Sequence, residues 1–121
     1  MRHNVRLACD SVVPALGQGT WYLGDSPATH DREARALRAG VEAGMTLVDT
    51  AEMYGNGRSE CLVGDAIAGV DVDGEPLRDA EDVEAVPLDR SKLFLVSKVL
   101  PTNAGDPEIF RSCDDTLENL G

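Results

Sequence analysis

Apolar positions along the chain alternate between short runs and helical stripes. Val12-Val13-Pro14-Ala15-Leu16 is an apolar piece that leads into the flexible turn Gly17-Gln18-Gly19-Thr20. Residues 31–43 predict a helix, with Ala34, Leu37 and Val41 on one face and Asp31 and Glu33 at the positive end of its dipole. Gly44 is placed to end it in the left-handed conformation, and residues 45–48 form a brief apolar strand that stops at Asp49. Residues 59–68 predict a second helix, with Leu62, Ala66 and Ile67 inward and Gly69 as its stop. Residues 93–96 predict a strand ending at Ser97-Lys98. Asp106-Pro107-Glu108 gives a helix start with cap, first-position proline and first-turn acid in order. Phe110, Cys113, Leu117 and Leu120 then share one apolar face.

Strand followed by helix, three times over and with near-continuous apolar strands, implies parallel βαβ units in an α/β fold. Such units build open doubly wound sheets or barrels, and spacing alone does not separate the two. Thr20, Asp49 and Lys98 each fall at the C-terminal end of a successive strand. Barrel enzymes assemble their sites there, although open sheets also bind ligands beyond strand C-termini.

Composition narrows the function classes. At 121 residues, with 42% hydrophobic content, the chain suits one domain with an ordinary core. No apolar run approaches the roughly 20 residues of a membrane span, and no apolar stretch follows the charged N-terminus as in a secretory signal. A soluble, cytoplasmic protein is therefore expected. The net charge of −11 argues against nucleic acid as a partner, since no basic excess exists to displace counterions. Cys9, Cys61 and Cys113 are odd in number and widely spaced, so buried apolar thiols are expected rather than disulfides or zinc ligands. His3 and His30 lie in polar stretches and read as surface histidines. Residues 70–92 hold eight acids and three bases, broken by Gly74, Pro76 and Pro87, and read as a solvated connection. Asp71-Val72-Asp73-Gly74 invites a calcium-loop reading. In that register position 1 is Gly69 and position 12 is Ala80, so both essential ligands are missing.

Two nucleotide motifs fail as well. A G-x-G-x-x-G starting at Gly17 has Tyr22 at its third glycine, and no Gly-rich loop ends in Gly-Lys-Ser/Thr. Asp49-Thr50-Ala51-Glu52-Met53-Tyr54-Gly55 is more informative. It sets an acid at a strand end and a tyrosine five residues on, with Lys98 at another strand end 44 residues later. A nearby ammonium stabilises phenolate, and a carboxylate keeps a partly buried lysine charged. Asp, Lys and Tyr in that order make a sensible chain for delivering a proton to a carbonyl oxygen. The plainer alternative has Asp49 capping a turn, Tyr54 packing on a rim and Lys98 solvated. Spacing alone leaves both open.

The segments Leu16-Gly17-Gln18-Gly19-Thr20-Trp21, Gly44 to Tyr54 and Phe94 to Val99 together resemble the N-terminal part of the aldo-keto reductase family, in particular its bacterial methylglyoxal-reductase-like and diketogluconate-reductase-like members. The resemblance implies an incomplete (β/α)8 TIM barrel of about three N-terminal βα units, from an enzyme that reduces small aldehydes and ketones with NADPH. It makes Tyr54 the general acid, Lys98 the lysine that lowers the tyrosine pKa and Asp49 the carboxylate paired with it. Gly19, Thr20 and Asp49 are implied on the cofactor side, Trp21 and Tyr54 on the substrate side, and Met53 either beside the substrate or in the core. No metal is implied. The acidic segment is expected as an insertion on the barrel face opposite the site. The family's catalytic histidine and most of its cofactor site are expected beyond Gly121. On that basis the chain alone is expected to be inactive and to self-associate or pair with a C-terminal portion. A non-catalytic α/β binding or structural domain is the alternative, which the intact Asp49, Tyr54 and Lys98 set disfavours.

Overall fold

The computed structural model describes residues 3–121. A short antiparallel hairpin comes first, β1 (Asn4–Arg6) with β2 (Val12–Pro14), and β3 (Gln18–Gly19) follows. The apolar run at Val12 is therefore a hairpin arm, not the first parallel strand. Pro14 is tolerated there because the hairpin forms a separate two-stranded sheet with no second neighbour. Helix α1 (Pro27–Glu42) leads to β4 (Leu47–Asp49), helix α2 (Arg58–Ala68) precedes β5 (Phe94–Val96), and α3 (Glu108–Leu120) closes the order. Strands β3, β4 and β5 form one parallel sheet in sequence order, with Gly19, Asp49 and Val96 at one level. The βα alternation read from the sequence is present.

Helix α1 starts four residues before the predicted position. Ser26 caps it by accepting from the Ala28 N–H, and Pro27 takes the first turn, where a missing N–H is harmless. The earlier start places His30 on the inner side of the helix, 8% exposed, where a surface position was expected. Its two ring nitrogens sit 2.9 Å from Asp31 Oδ1 and 2.8 Å from Asp65 Oδ2, joining α1 to α2. Gly44 and Gly69 end their helices at positive φ, as the sequence implied. Gly40 is required for another reason: a Cβ there would lie 2.0 Å from the Gln18 amide, which crosses α1 to donate to the Leu37 and Met45 carbonyls.

Ala34 and Leu37 of α1, Val48 of β4 and Leu62, Val63 and Ala66 of α2 form the core. Helix α3 enters it only through Leu120. Its expected apolar face is largely bare, with Phe110 66% and Leu117 63% exposed and Cys113 exposed beside them. Asp106 makes no cap; Pro107 occupies the cap position without a side-chain bond. The other two cysteines are also exposed, Cys9 in the hairpin turn and Cys61 on α2 beside Asn119 of α3, which overturns the expectation of buried thiols.

Residues 70–92 are solvated but built. Asp71 Oδ1 accepts from the N–H groups of Asp73 and Glu75, and eight residues later Asp79 Oδ1 accepts from those of Glu81 and Val83. Each turn closes on a residue at positive φ, Gly74 and Asp82. The two turns make a small meander whose strands meet at Val70–Pro76 and Arg78–Glu84. Leu77 plugs its centre into the core at 2% exposure. Buried Arg38 ties the meander to the C-terminus of α2, donating to the Ala66 carbonyl at 2.7 Å and the Val86 carbonyl at 2.6 Å. The segment lies between the end of α2 and the start of β5, away from the strand C-termini.

Candidate active site

The parallel ladder continues past the named strands and sets the site. Thr50 donates its N–H to the Val96 carbonyl at 2.8 Å, and Glu52 donates to the Lys98 carbonyl at 3.2 Å. Thr20 donates to the Asp49 carbonyl through both its N–H and its hydroxyl. These bonds bring Asp49 and Lys98 together across 49 residues of sequence. Lys98 Nζ lies 2.8 and 2.9 Å from the two Asp49 carboxylate oxygens and 2.8 Å from the Thr50 carbonyl. The carboxylate and the carbonyl together hold the ammonium in place.

Tyr54 completes the group. Lys98 Nζ stands 5.0 Å from the centroid of its ring, beside the phenol. Burial by itself lowers the Lys98 pKa, but hydrogen bonding and charge from Asp49, with a share from Tyr54, more than offset it and hold the ammonium above the ordinary lysine value. The chain turns sharply after Tyr54. Gly55, Asn56 and Gly57 all take positive φ before α2 begins. Glycine and asparagine tolerate that region best, so Gly-Asn-Gly is the local reason Tyr54 heads a loop.

An aromatic wall flanks the phenol. Trp21 stacks on Tyr22 with centroids 4.7 Å apart and on Tyr54 at 6.1 Å. The loop carrying it is pinned to α2 by buried Ser59, whose hydroxyl reaches the carbonyls of Thr20 and Leu23. Trp21 is itself 64% exposed, so one side of the wall faces open ground. Gly19, paired with Asp49 at the neighbouring strand end, is also open: a Cβ there would meet nothing within 4 Å. Thr20 is fully buried with its hydroxyl engaged, so its side chain holds the loop. Met53 lines a different space, a 550 Å³ cavity between the Tyr54 loop and α3 shared with Glu52, Asn103 and Arg111. A comparable 560 Å³ groove lies at the opposite strand ends, by Val12, Thr46 and Leu93, far from these ionisable groups.

The structure thus juxtaposes Asp49, Tyr54, Lys98 and Trp21, with Gly19 and Thr20 at the neighbouring strand end. Sequence reading missed Tyr22, Ser59 and Glu60. Glu60 is buried, accepts from the Ser97 hydroxyl at 2.8 Å and so fixes the residue before Lys98. Its only sequence signal was an acid inside a predicted helix next to a polar serine. Among the described residues no cluster of metal-ligating side chains occurs, and no helix is long and apolar enough to cross a membrane.

Comparison with known proteins identifies the family. Residues 15–121 match the model of the aldo/keto reductase family. Methylglyoxal reductase YeaE of Escherichia coli is 40% identical over 116 residues, covering 96% of this chain and 34% of that protein. An aldo-keto reductase of Mycobacterium tuberculosis, Rv2971, is 30% identical over 98% of the chain and 33% of its own length. An aldo-keto reductase from Klebsiella pneumoniae, solved in complex with NADPH, superposes with a TM-score of 0.77 at 38% identity, covering 99% of this chain and 36% of that one. The chain spans about a third of the length of the curated relatives it matches. It belongs to the aldo/keto reductase family.

Proposed function

We propose that this chain carries the proton-delivering side of an NADP(H)-dependent reductase of aldehydes and ketones, with small carbonyl compounds such as methylglyoxal as its substrates. The observation that carries the reading is the Asp49–Lys98–Tyr54 arrangement at the strand ends. A carbonyl oxygen placed against the Tyr54 hydroxyl takes its proton as negative charge develops there, leaving a phenolate. The Lys98 ammonium beside the ring stabilises that phenolate, and Asp49 keeps the ammonium charged and in place. Trp21, backed by Tyr22, forms the wall against which the substrate's carbon skeleton lies.

The open ground over Gly19 and beside Asp49 fits the flat nicotinamide end of the cofactor. Gly19 would allow its close approach, the Thr20 loop would border it and the Asp49 carboxylate would face it. NADPH bound there supplies the hydride for the carbonyl carbon. Lys98 spends its protons on Asp49 and Thr50, so in this reading the phosphates are held by a C-terminal portion. That portion completes a (β/α)8 barrel begun by about three βα units, adds the catalytic histidine and covers the bare face of α3. The whole works in the cytoplasm, and the acidic meander is an insertion remote from the site. The 121-residue chain alone self-associates or pairs with that portion and leaves NADPH unoxidised. The test is NADPH oxidation by methylglyoxal, followed at the nicotinamide band, in a complete enzyme carrying this chain with Tyr54 intact or replaced by Phe. Equal rates in the two would overturn the assignment.

A further inference from the structure

Glu52 takes no part in the proton path above, yet it joins the two loops that carry it. It lies between Asp49 and Tyr54 on the loop after β4. Its backbone N–H donates to the Lys98 carbonyl at 3.2 Å. Its carboxylate reaches past that bond to the turn after Lys98. There Oε1 accepts from the Leu100 N–H and from Asn103 Nδ2, the latter at 3.1 Å. Leu100 and Asn103 are themselves joined, since the Asn103 N–H donates to the Leu100 carbonyl at 2.8 Å. The Ser112 hydroxyl, buried on α3, adds a third stabilising contact to the same carboxylate.

The consequence is geometric. Tyr54 and Lys98 sit on separate loops, with the ammonium 5.0 Å from the centroid of the ring. The Lys98 ammonium is fixed by Asp49, whereas the Tyr54 backbone is held locally: Ala51 accepts its N–H, and the three residues after it all take positive φ. What limits the Tyr54 loop's distance from Lys98 is the pair of bonds made by Glu52, two residues before the phenol and directly onto residues 98–103. Burial raises the Glu52 pKa, but the bonds from Leu100, Asn103 and Ser112 lower it further, so the carboxylate is ionised near neutral pH and accepts charge-assisted bonds.

We propose that Glu52 is a positioning residue, holding Tyr54 beside Lys98 by tying the loop after β4 to the loop after β5. Its importance to reduction rests on the reading of Tyr54 given above, but the tie itself does not, and it can be tested without cofactor or substrate. The chain has two tyrosines and one tryptophan, and Tyr54 lies against Trp21. With 3-fluorotyrosine incorporated into a complete enzyme carrying this chain, ¹⁹F NMR resolves the tyrosine signals, and Tyr54→Phe and Tyr22→Phe identify those of Tyr54 and Tyr22.

The parent Tyr54 signal should be displaced from its random-coil position by the Trp21 ring. Glu52→Ala should return it more than half of the way while the Tyr22 signal and the far-ultraviolet circular dichroism stay unchanged. Glu52→Gln, whose amide oxygen still accepts from Leu100 and Asn103, should restore the parent position, and Asn103→Ala should move the signal part of the way. A Tyr54 signal unmoved by Glu52→Ala, or already at the random-coil position in the parent, overturns the proposal. If Glu52→Ala disturbs both signals by unfolding the chain, Asn103→Ala decides, and an unmoved Tyr54 there is equally fatal. Loss of reductase activity in Tyr54→Phe bears on the function alone, so the two ideas fail separately.

Discussion

The two ends of the parallel sheet are held by different kinds of bond. At the C-terminal ends of β3, β4 and β5, polar side chains reach between loops far apart in sequence: Lys98 to Asp49, Glu52 to Leu100, Ser59 to Thr20, Glu60 to Ser97. At the far end, the acidic meander is built from local Asp turns and held to the body by the apolar plug Leu77 and by bonds from α1, with Arg38 and Arg35 donating to its carbonyls and Asp31 accepting from Val72. The first end therefore fixes the positions of chemical groups, and the second fixes a covering. Substitutions of the reacting groups at the first, Tyr54 or Lys98, should change rate with little effect on stability. Those at the second should do the reverse.

The largest effect tests the first half of that contrast. In a complete enzyme carrying this chain, Tyr54→Phe should lower kcat by a factor on the order of 10² to 10⁴, the usual worth of a general acid. The melting temperature should change little, because Phe keeps the ring that stacks on Trp21 and the Lys98 ammonium stays held by Asp49 and Thr50. A large fall in melting temperature would make Tyr54 a structural residue and blur the contrast.

Leu77→Ala probes the other end. The side chain is fully buried in the core cluster between α1 and α2, so its truncation should cost about 2–4 kcal/mol in chemical denaturation. Activity per folded molecule of the complete enzyme should not change. A loss below about 1 kcal/mol would mean that the meander rides on the surface, as its composition alone suggested.

That error of expectation is instructive. Eight acids among three bases describe a solvated loop, and the turns are solvated; the composition carries no trace of the single leucine that docks them. The eight-residue spacing of Asp71 and Asp79, each followed four residues on by the N–H it binds, was the available signal. Helices α2 and α3 show the limit from another side. Both display a clear apolar face in sequence, yet α2 buries Leu62, Val63 and Ala66 while α3 leaves Phe110 and Leu117 in solvent. Periodicity states which face is apolar and is silent on whether anything covers it. Strand ends were legible because Asp49 and Lys98 follow apolar runs abruptly, and their side chains do meet. The bonds that fix them from behind, through Glu52, Ser59 and Glu60, join residues about 37–51 positions apart and leave no local pattern.

His30 predicts a pH effect of intermediate size, placed between the two ends. Burial disfavours its charged form, but the carboxylates of Asp31 and Asp65 on its two nitrogens more than compensate, and its pKa is raised. Its contribution is fully present below the unfolded value of about 6.5 and is lost as pH rises through the higher folded value. Asp31 is held low, partly by His30 and the Val72 N–H, so its own contribution is present above about 3.9 and is lost as pH falls through its folded value. The join between α1 and α2 is thus strongest in the window between those two titrations. His30→Gln should remove about 1 kcal/mol near pH 6 and flatten the decline in stability between pH 6 and pH 9, read from urea denaturation midpoints at each pH. An unchanged slope would show that His30 has the same pKa in the folded and unfolded chain and overturn the pairing with the two carboxylates.

The smallest effect belongs to the meander's surface. Arg78 Nη2 lies 2.7 Å from Glu84 Oε1, which looks like the bond that closes the second turn. The two side chains are 48% and 57% exposed, so water and salt screen the pair and its formation costs side-chain entropy. The turn also has bonds that do not need the pair. Asp79 binds Glu81 and Val83, and Arg78 donates separately to the Asp82 carbonyl. Glu84→Gln should therefore change stability by less than about 0.5 kcal/mol, and raising the salt concentration should erase even that. Denaturation of the two chains side by side at low and high salt measures it. A loss as large as that of Leu77→Ala would mean that charge rather than the apolar plug holds the meander down, and the contrast between the two ends would fall with it.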